Sequence, residues 1–123
     1  MENKTILLVD DEEDIRALFT LVLESAGWTV IAVAQASAAL EILATRPVDL
    51  LVTDYQMPEM NGAELITLVR VRFPHIRTVL ASGQSQVHVF ATSCGAHTYY
   101  RKGTPLSHLL TAVTDLAMDG VPG

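Results

Sequence analysis

The sequence predicts a doubly wound α/β domain: a parallel sheet of five strands with five helices packed on both of its faces. Three observations predict it. Short apolar runs recur along the chain, as strands buried on both sides of a sheet require. Segments with apolar residues at helical spacing alternate with those runs. The connections between them are short, which implies right-handed βαβ units.

Thr5 to Val9 is the first strand, and it ends in Asp10, Asp11, Glu12, Glu13 and Asp14. Ile15, Leu18, Phe19, Val22 and Ala26 then recur at helical spacing. The acids favour a helix N-terminus through the helix dipole, and Gly27 is a suitable stop. Trp28 to Val33 is the second strand. Ser37 is placed to cap a helix that runs to about Thr45 with Leu40 and Leu43 inward, and Pro47 breaks it. Val48 to Thr53 is the third strand, and it stops on a carboxylate, Asp54. Pro58 and Asn61-Gly62 turn the chain. Ala63 to Arg72 reads as a helix with Leu65, Leu68 and Val69 inward, ended by Pro74.

Ile76 to Ala81 is the fourth strand, followed by Ser82-Gly83. Val87, Phe90, Ala91 and Cys94 share one helical face, and Gly95 closes that short helix. His97 to Arg101 is the fifth strand. Thr104-Pro105 supplies a capping hydroxyl and a proline at the first helical position. Leu106, Leu109, Leu110, Val113 and Ala117 form the last apolar stripe, and Asp119 to Gly123 is expected to fray.

Composition narrows the function. The 123 residues suit one domain with a single core. The whole of 1–123 is expected to be that domain, with its core at about 4–117. Half the residues are hydrophobic, which excludes a disordered chain. A net charge of −6 argues against direct nucleic-acid binding, which needs clustered Lys and Arg. The single cysteine, Cys94, forms no intrachain disulfide, and a cytoplasmic location is expected. No segment approaches the ~18 apolar residues of a membrane span, so no membrane partner is expected. Only Ile6 to Val9 precede the acids, so no secretory leader is expected either. His75, His88, His97 and His108 lack a metal-ligand spacing and read as ordinary surface or edge residues.

In doubly wound sheets, ligands bind beyond the carboxyl ends of the strands. The polar residues fall there: Asp10 and Asp11 after strand 1, Asp54 after strand 3, Ser82 after strand 4, Lys102 after strand 5. Taken singly, each has a plain explanation. Asp54 and Ser82 suit turns, Lys102 suits solvent, and Asp10 and Asp11 suit a helix start. Their convergence does not. Three carboxylates raise one another's pKa unless a cation sits among them, and their oxygens suit a hard ion such as Mg²⁺. Lys102 adds a positive charge, Ser82 a hydroxyl donor, and Gly83 a closely approachable backbone N–H. Cations and donors around a carboxylate suit phosphoryl transfer, with Asp54 as nucleophile and an acyl phosphate as product.

Four motifs carry a resemblance. Ile6-Leu7-Leu8-Val9-Asp10-Asp11-Glu12, Asp54 with Met57-Pro58-x-x-x-Gly62, Ser82-Gly83, and Gly95-Ala96-x-x-Tyr99-x-x-Lys102 are similar to the receiver domain of bacterial two-component response regulators. The resemblance runs from about Lys4 to Ala117. It implies a flavodoxin-like sheet in the order 2-1-3-4-5 within three α/β/α layers. It also implies that Asp54 accepts a phosphoryl group from a sensor histidine kinase or phosphotransfer protein. Asp11, Asp54 and the Gln56 carbonyl would ligate Mg²⁺ directly, and Asp10 mainly through water. Lys102, Ser82 and the backbone of Tyr55 and Gly83 would hold the phosphoryl oxygens. Ser82 and Tyr99 would form the switch, with Tyr99 swinging inward behind Ser82. Homodimers through helix 4–strand 5–helix 5, or through helices 1 and 5, are compatible with the resemblance, and the sequence does not decide between them or a monomer.

The sequence departs from that pattern in two places. Gly103 follows Lys102 where the family usually has proline, so a looser loop is expected. The interval from Ser82 to Lys102 is shorter than usual, so helix 4 or the loop before it is expected to be short. Gln56 and Gln84 occupy positions that influence hydrolysis of the acyl phosphate. Two other functions compete. A Mg²⁺-dependent phosphatase with an aspartyl nucleophile would normally carry a second acid where Gln56 stands. A receiver-like interaction module independent of phosphorylation has no need of the intact acid and lysine set.

Overall fold

The computed structural model describes residues 4–119. The chain runs β1 (Thr5–Val9), α1 (Glu13–Ser25), β2 (Thr29–Val33), α2 (Ala36–Thr45), β3 (Leu50–Asp54), α3 (Gly62–Arg72), β4 (Arg77–Ser82), α4 (Val87–Cys94), β5 (Thr98–Arg101) and α5 (Leu106–Asp119). All four strand pairings are parallel, and the order is β2-β1-β3-β4-β5. This is the expected doubly wound, flavodoxin-like sheet.

Period-two alternation along the strands sorts the core into two layers. Leu7 and Val9 of β1, Leu51 of β3 and Leu80 of β4 face α2, α3 and α4. Ile6 and Leu8, Leu50 and Val52, Val79 and Ala81 face α1 and α5. β3 is buried along its whole length, so it lies where a strand without a polar face must lie.

Helical periodicity placed the elements correctly but not every inward side chain. On α1, Phe19 and Leu23 are the buried residues, whereas Leu18 is 41% exposed and Ala26 is exposed. Leu18 and Leu23 both fit a helical stripe, and the position of α5 selects Leu23. Ile66 of α3 and Leu116 of α5 are buried as well, in the opposite layers of the core.

Helix starts also differ from expectation. Ser37 lies inside α2, whose N-cap is Gln35 with no side-chain cap bond. The Thr104 hydroxyl donates back to Arg101 O at 2.6 Å, and α5 begins at Leu106, so Thr104-Pro105 precedes the helix. By contrast, α3 has a full capping box. Asn61 Oδ1 accepts from Glu64 N–H at 2.8 Å, and Glu64 Oε1 accepts from Asn61 N–H at 3.0 Å.

His97 extends the β4–β5 ladder through its side chain. Its Nδ1 accepts from Thr78 N–H at 3.0 Å, and burial, with Arg77 and Arg70 nearby, lowers its pKa. Asp119 closes α5, and Gly120–Gly123 of the expected tail lie outside the described residues. No described helix is long and apolar enough to cross a membrane.

Candidate phosphoryl-transfer site

Strand register brings the distant polar residues together. Val9 of β1 pairs with Thr53 of β3, so the next residues, Asp10 and Asp54, leave the sheet side by side. Asp54 pairs with Ala81 and Ser82 with Arg101, which puts Ser82 and Lys102 on the same edge. Lys102 N–H donates to Ser82 O at 2.9 Å and continues the sheet by one residue. A cleft of about 400 Å³ results, lined by Asp11, Glu12, Asp54, Gln56, Ser82, Gly83 and Lys102.

Lys102 is the hub of the charges. Its Nζ lies 2.8 Å from Asp10 Oδ2, 3.0 Å from Asp54 Oδ1 and 3.9 Å from Glu12 Oε1. Asp10 and Asp54 are 1% and 7% exposed. Asp10 is bonded from several sides. Its Oδ1 accepts from Glu12 N–H at 2.9 Å, and its carbonyl accepts from Arg16 Nη1 at 2.8 Å.

Burial pushes the Asp54 carboxyl up to about 6. The hydrogen bond and charge of Lys102 pull against that rise, and the charges of Asp10 and Asp11 add to it. Burial also opposes the charge on Lys102, but its hydrogen bonds to Asp10 and Asp54 outweigh this and hold its pKa above the ordinary lysine value. The pair is thus an ammonium committed to its charge and a carboxylate whose burial outweighs the pull of its lysine.

The loop after Asp54 explains Met57-Pro58-x-x-x-Gly62. Met60 N–H donates to Pro58 O at 2.8 Å, closing a γ-turn on Glu59 at φ +72°. Gly62 N–H then donates to Tyr55 O at 2.8 Å. A Cβ on Gly62 would overlap the Asp54 carbonyl, so only glycine lets α3 begin directly behind Asp54.

Among the residues singled out from sequence, Asp10, Asp54 and Lys102 meet directly. Asp11, Gln56, Ser82 and Gly83 line the same cleft. Ser82 is buried, and its Oγ accepts from Gln84 N–H at 3.1 Å, which leaves its own proton to donate. A Cβ on Gly83 would meet no atom within 4 Å, so nothing crowds its backbone.

Tyr55 differs from expectation. Its N–H donates to Ala81 O at 2.8 Å and is committed to the sheet, so it is not offered to an anion. Tyr99 is not at the cleft. It is 45% exposed on β5, with its ring centroid 6.3 Å from that of His88.

Glu12 was not singled out from sequence. Carboxylate oxygens of Asp10, Glu12 and Asp54 lie within 4.8 Å of one another. In the sequence Glu12 is one acid in a run of five, and nothing local sets it apart from its neighbours. The donor set is all hard oxygen, and Asp54, one of its two buried members, has a raised pKa, so these residues fit a divalent cation such as Mg²⁺.

The loop after β5 takes an unusual path, with Gly103 at φ +94°, a conformation closed to proline. The expected looseness is not seen in its bonding. Thr104 N–H donates to Arg101 O at 3.2 Å, and Tyr100 Oη donates to Thr104 O at 2.6 Å. α4 is short, as expected, with eight residues.

Comparison with known proteins agrees with this geometry. A family model described as "Response regulator receiver domain" matches residues 6–114. Response regulator protein FleR of Pseudomonas aeruginosa is 34% identical over 120 residues, covering 96% of this chain and 25% of that protein. The chain thus spans about a quarter of that relative's length. Sporulation initiation phosphotransferase F of Bacillus subtilis is 29% identical, with 92% of this chain and 93% of that one covered. Among solved structures, the signal receiver domain of an HD domain-containing protein from Pseudomonas fluorescens superposes with a TM-score of 0.90. It is 25% identical, with coverage of 97% and 98%. Response regulator protein TrrA of Thermotoga maritima, in complex with Mg²⁺-BeF, superposes with a TM-score of 0.86. It is 27% identical, with coverage of 92% and 98%.

Proposed function

The chain belongs to the response regulator receiver domain family, and on that premise we propose that Asp54 is its phosphoacceptor. The phosphoryl group would come from a phosphohistidine on a sensor histidine kinase or phosphotransfer protein. The observation that carries this reading is the placement of Asp54. It is a nearly buried carboxylate at the end of β3, held through Oδ1 by Lys102 and backed by Asp10.

Asp54 attacks as the carboxylate, so it must be ionised, a condition met above its pKa of about 6. Lys102 stays protonated and faces the oxygens on which charge develops. Ser82 has its hydroxyl proton free for a phosphoryl oxygen. Asp10, Asp11, Asp54 and the Gln56 carbonyl would hold Mg²⁺, with Glu12 at the rim. When bound, the ion neutralises carboxylate and phosphoryl charge. The Gln56 position lacks the second acid that a phosphatase would use, so the product is a persistent switch state and not a turnover intermediate.

Phosphorylation adds a dianion that only an inward Ser82–Tyr99 arrangement satisfies, which shifts a two-state balance on the α4–β5–α5 face. That face, or α1 with α5, would then serve a partner or a second copy. The domain would act in the cytoplasm, occupy 1–123 with its core at about 4–117, and contact neither nucleic acid nor membrane directly. Any DNA-directed output would belong to other parts of a longer regulator.

Intact-mass measurement with Mg²⁺ and acetyl phosphate tests the assignment. One phosphoryl mass should appear on the native chain and none on Asp54→Asn. Undiminished labelling of that variant would place the acceptor elsewhere.

A further inference from the structure

We propose that Tyr100 is a positioning residue for Lys102. Its phenol hydroxyl straps down the turn after β5 and so fixes where the Lys102 ammonium points. The proposal rests on reading the cleft as the phosphoacceptor site.

The turn has little else to hold it. Lys102 is tied to the sheet through its N–H to Ser82 O, but the next residue is Gly103, at φ +94°. Glycine is the residue that loses most freedom when fixed in one conformation. No atom lies within 4 Å of where its Cβ would be, so packing does not confine it.

What confines the turn is a short set of bonds around Thr104. Thr104 N–H and Oγ1 both donate to Arg101 O, at 3.2 and 2.6 Å, and close the turn on itself. On the far side of Gly103, the turn is tied to the core by Tyr100 Oη donating to Thr104 O at 2.6 Å. Tyr100 is a firm anchor. It is 3% exposed, and its ring meets Phe19 of α1 edge-on at 5.9 Å. A buried phenol needs a partner for its hydroxyl, and here the partner lies just ahead of α5. The strap therefore spans Lys102, from the core under β5 to the start of α5. Strand alternation gives the two adjacent tyrosines opposite settings, Tyr99 outward and Tyr100 inward.

Lys102 must be aimed before charge develops on the phosphoryl oxygens, because an ammonium that has to reorganise stabilises the transition state less. The carboxylates that would hold Mg²⁺ are carried by β1, β3 and the loops after them, and they meet this turn through the Lys102 ammonium, 2.8 Å from Asp10 and 3.0 Å from Asp54. Loosening the strap should therefore slow phosphorylation more than it changes metal binding.

Tyr100→Phe removes only the hydroxyl and keeps the ring. With acetyl phosphate as donor and saturating Mg²⁺, its maximal phosphorylation rate should fall about three- to tenfold. In a Lys102→Ala background the same substitution should change the residual rate no further, because the strap acts through Lys102. Hydrogen exchange should quicken at the Gly103 and Thr104 amides and stay unchanged along β1. A Tyr100→Phe protein that phosphorylates at the native rate, or that loses equally in both backgrounds, overturns the proposal. So does unchanged exchange at Gly103 and Thr104. A native chain that takes no phosphoryl group would instead break the acceptor assignment, while the exchange measurement still judges the strap.

Discussion

At the carboxyl edge of the sheet, the β1–β3 side and the α4–β5 side are held very differently. Asp10 and Asp54 are buried and bonded to Lys102, and the loop behind them runs into the capping box of α3. On the other side, Tyr99 is 45% and Val89 48% exposed, and α4 has eight residues with no side-chain cap bond. The first side makes its contacts in advance, so chemistry there needs little reorganisation. The second leaves Tyr99 and Val89 half exposed, with side chains that can change setting without opening the core. The proposed acceptor and the proposed reporter thus differ in exposure, although only one strand, β4, lies between β3 and β5.

The largest test of that contrast is Gly62→Ala. The new methyl would overlap the Asp54 carbonyl, and relief requires α3 or β3 to move. A loss of about 3 kcal/mol is expected in urea unfolding, at the upper end of ordinary overpacking. Val89→Ser on α4 should stay within about 0.5 kcal/mol of native. Equal costs at the two sites would break the comparison.

A second test uses pH in metal-free buffer. Asp54 has a folded pKa of about 6 against 3.8 for the free side chain. A raised pKa means that folding favours the protonated form. The stabilisation it brings is complete below about pH 3.8 and is lost as pH rises through about 6. Asp54→Asn removes the charge and keeps the shape. It should be more stable than native by about 2 kcal/mol at pH 8, with the gap closing towards pH 4. Urea titrations across that range in EDTA check both the size and the sign. A variant less stable than native at pH 8, with that deficit closing towards acid, would mean that Asp54 is stabilised as an anion.

The smallest effect on stability is expected at Tyr99. Tyr99→Ala should change unfolding free energy by no more than about 0.5 kcal/mol, since the ring is half exposed. Phosphorylation should proceed, but the accompanying shifts in amide spectra should no longer reach α4 and β5. Loss of labelling in this variant would show that the two sides are not separable.

Much of this was legible in the sequence, for a local reason. Strand and helix periods are properties of neighbouring residues, so Leu50 to Asp54 announces a buried strand that ends on an acid. The switch from apolar run to polar residue marks each carboxyl end, and Asp10, Asp54, Ser82 and Lys102 are found at those ends. The capping box at Asn61 and Glu64 is also present in the sequence, as an N-cap residue followed three positions later by Glu.

Other features had no local signal. Leu18 and Leu23 lie about 140° apart on α1 and extend alternative apolar stripes beside Phe19, and only the packing of α1 beside α5 decides between them. Glu12 is indistinguishable from the acids around it until β1 is set beside β3. The commitment of Tyr55 N–H to Ala81 depends on the register of β3 with β4.

The sequence by itself determined the alternation of strands and helices, the position of each strand end, and the residue types gathered there. Only the tertiary structure decided which of those groups touch. Lys102 and Asp10 are 92 positions apart and meet at 2.8 Å because parallel register aligns the strand ends, a relation that no short stretch of chain contains.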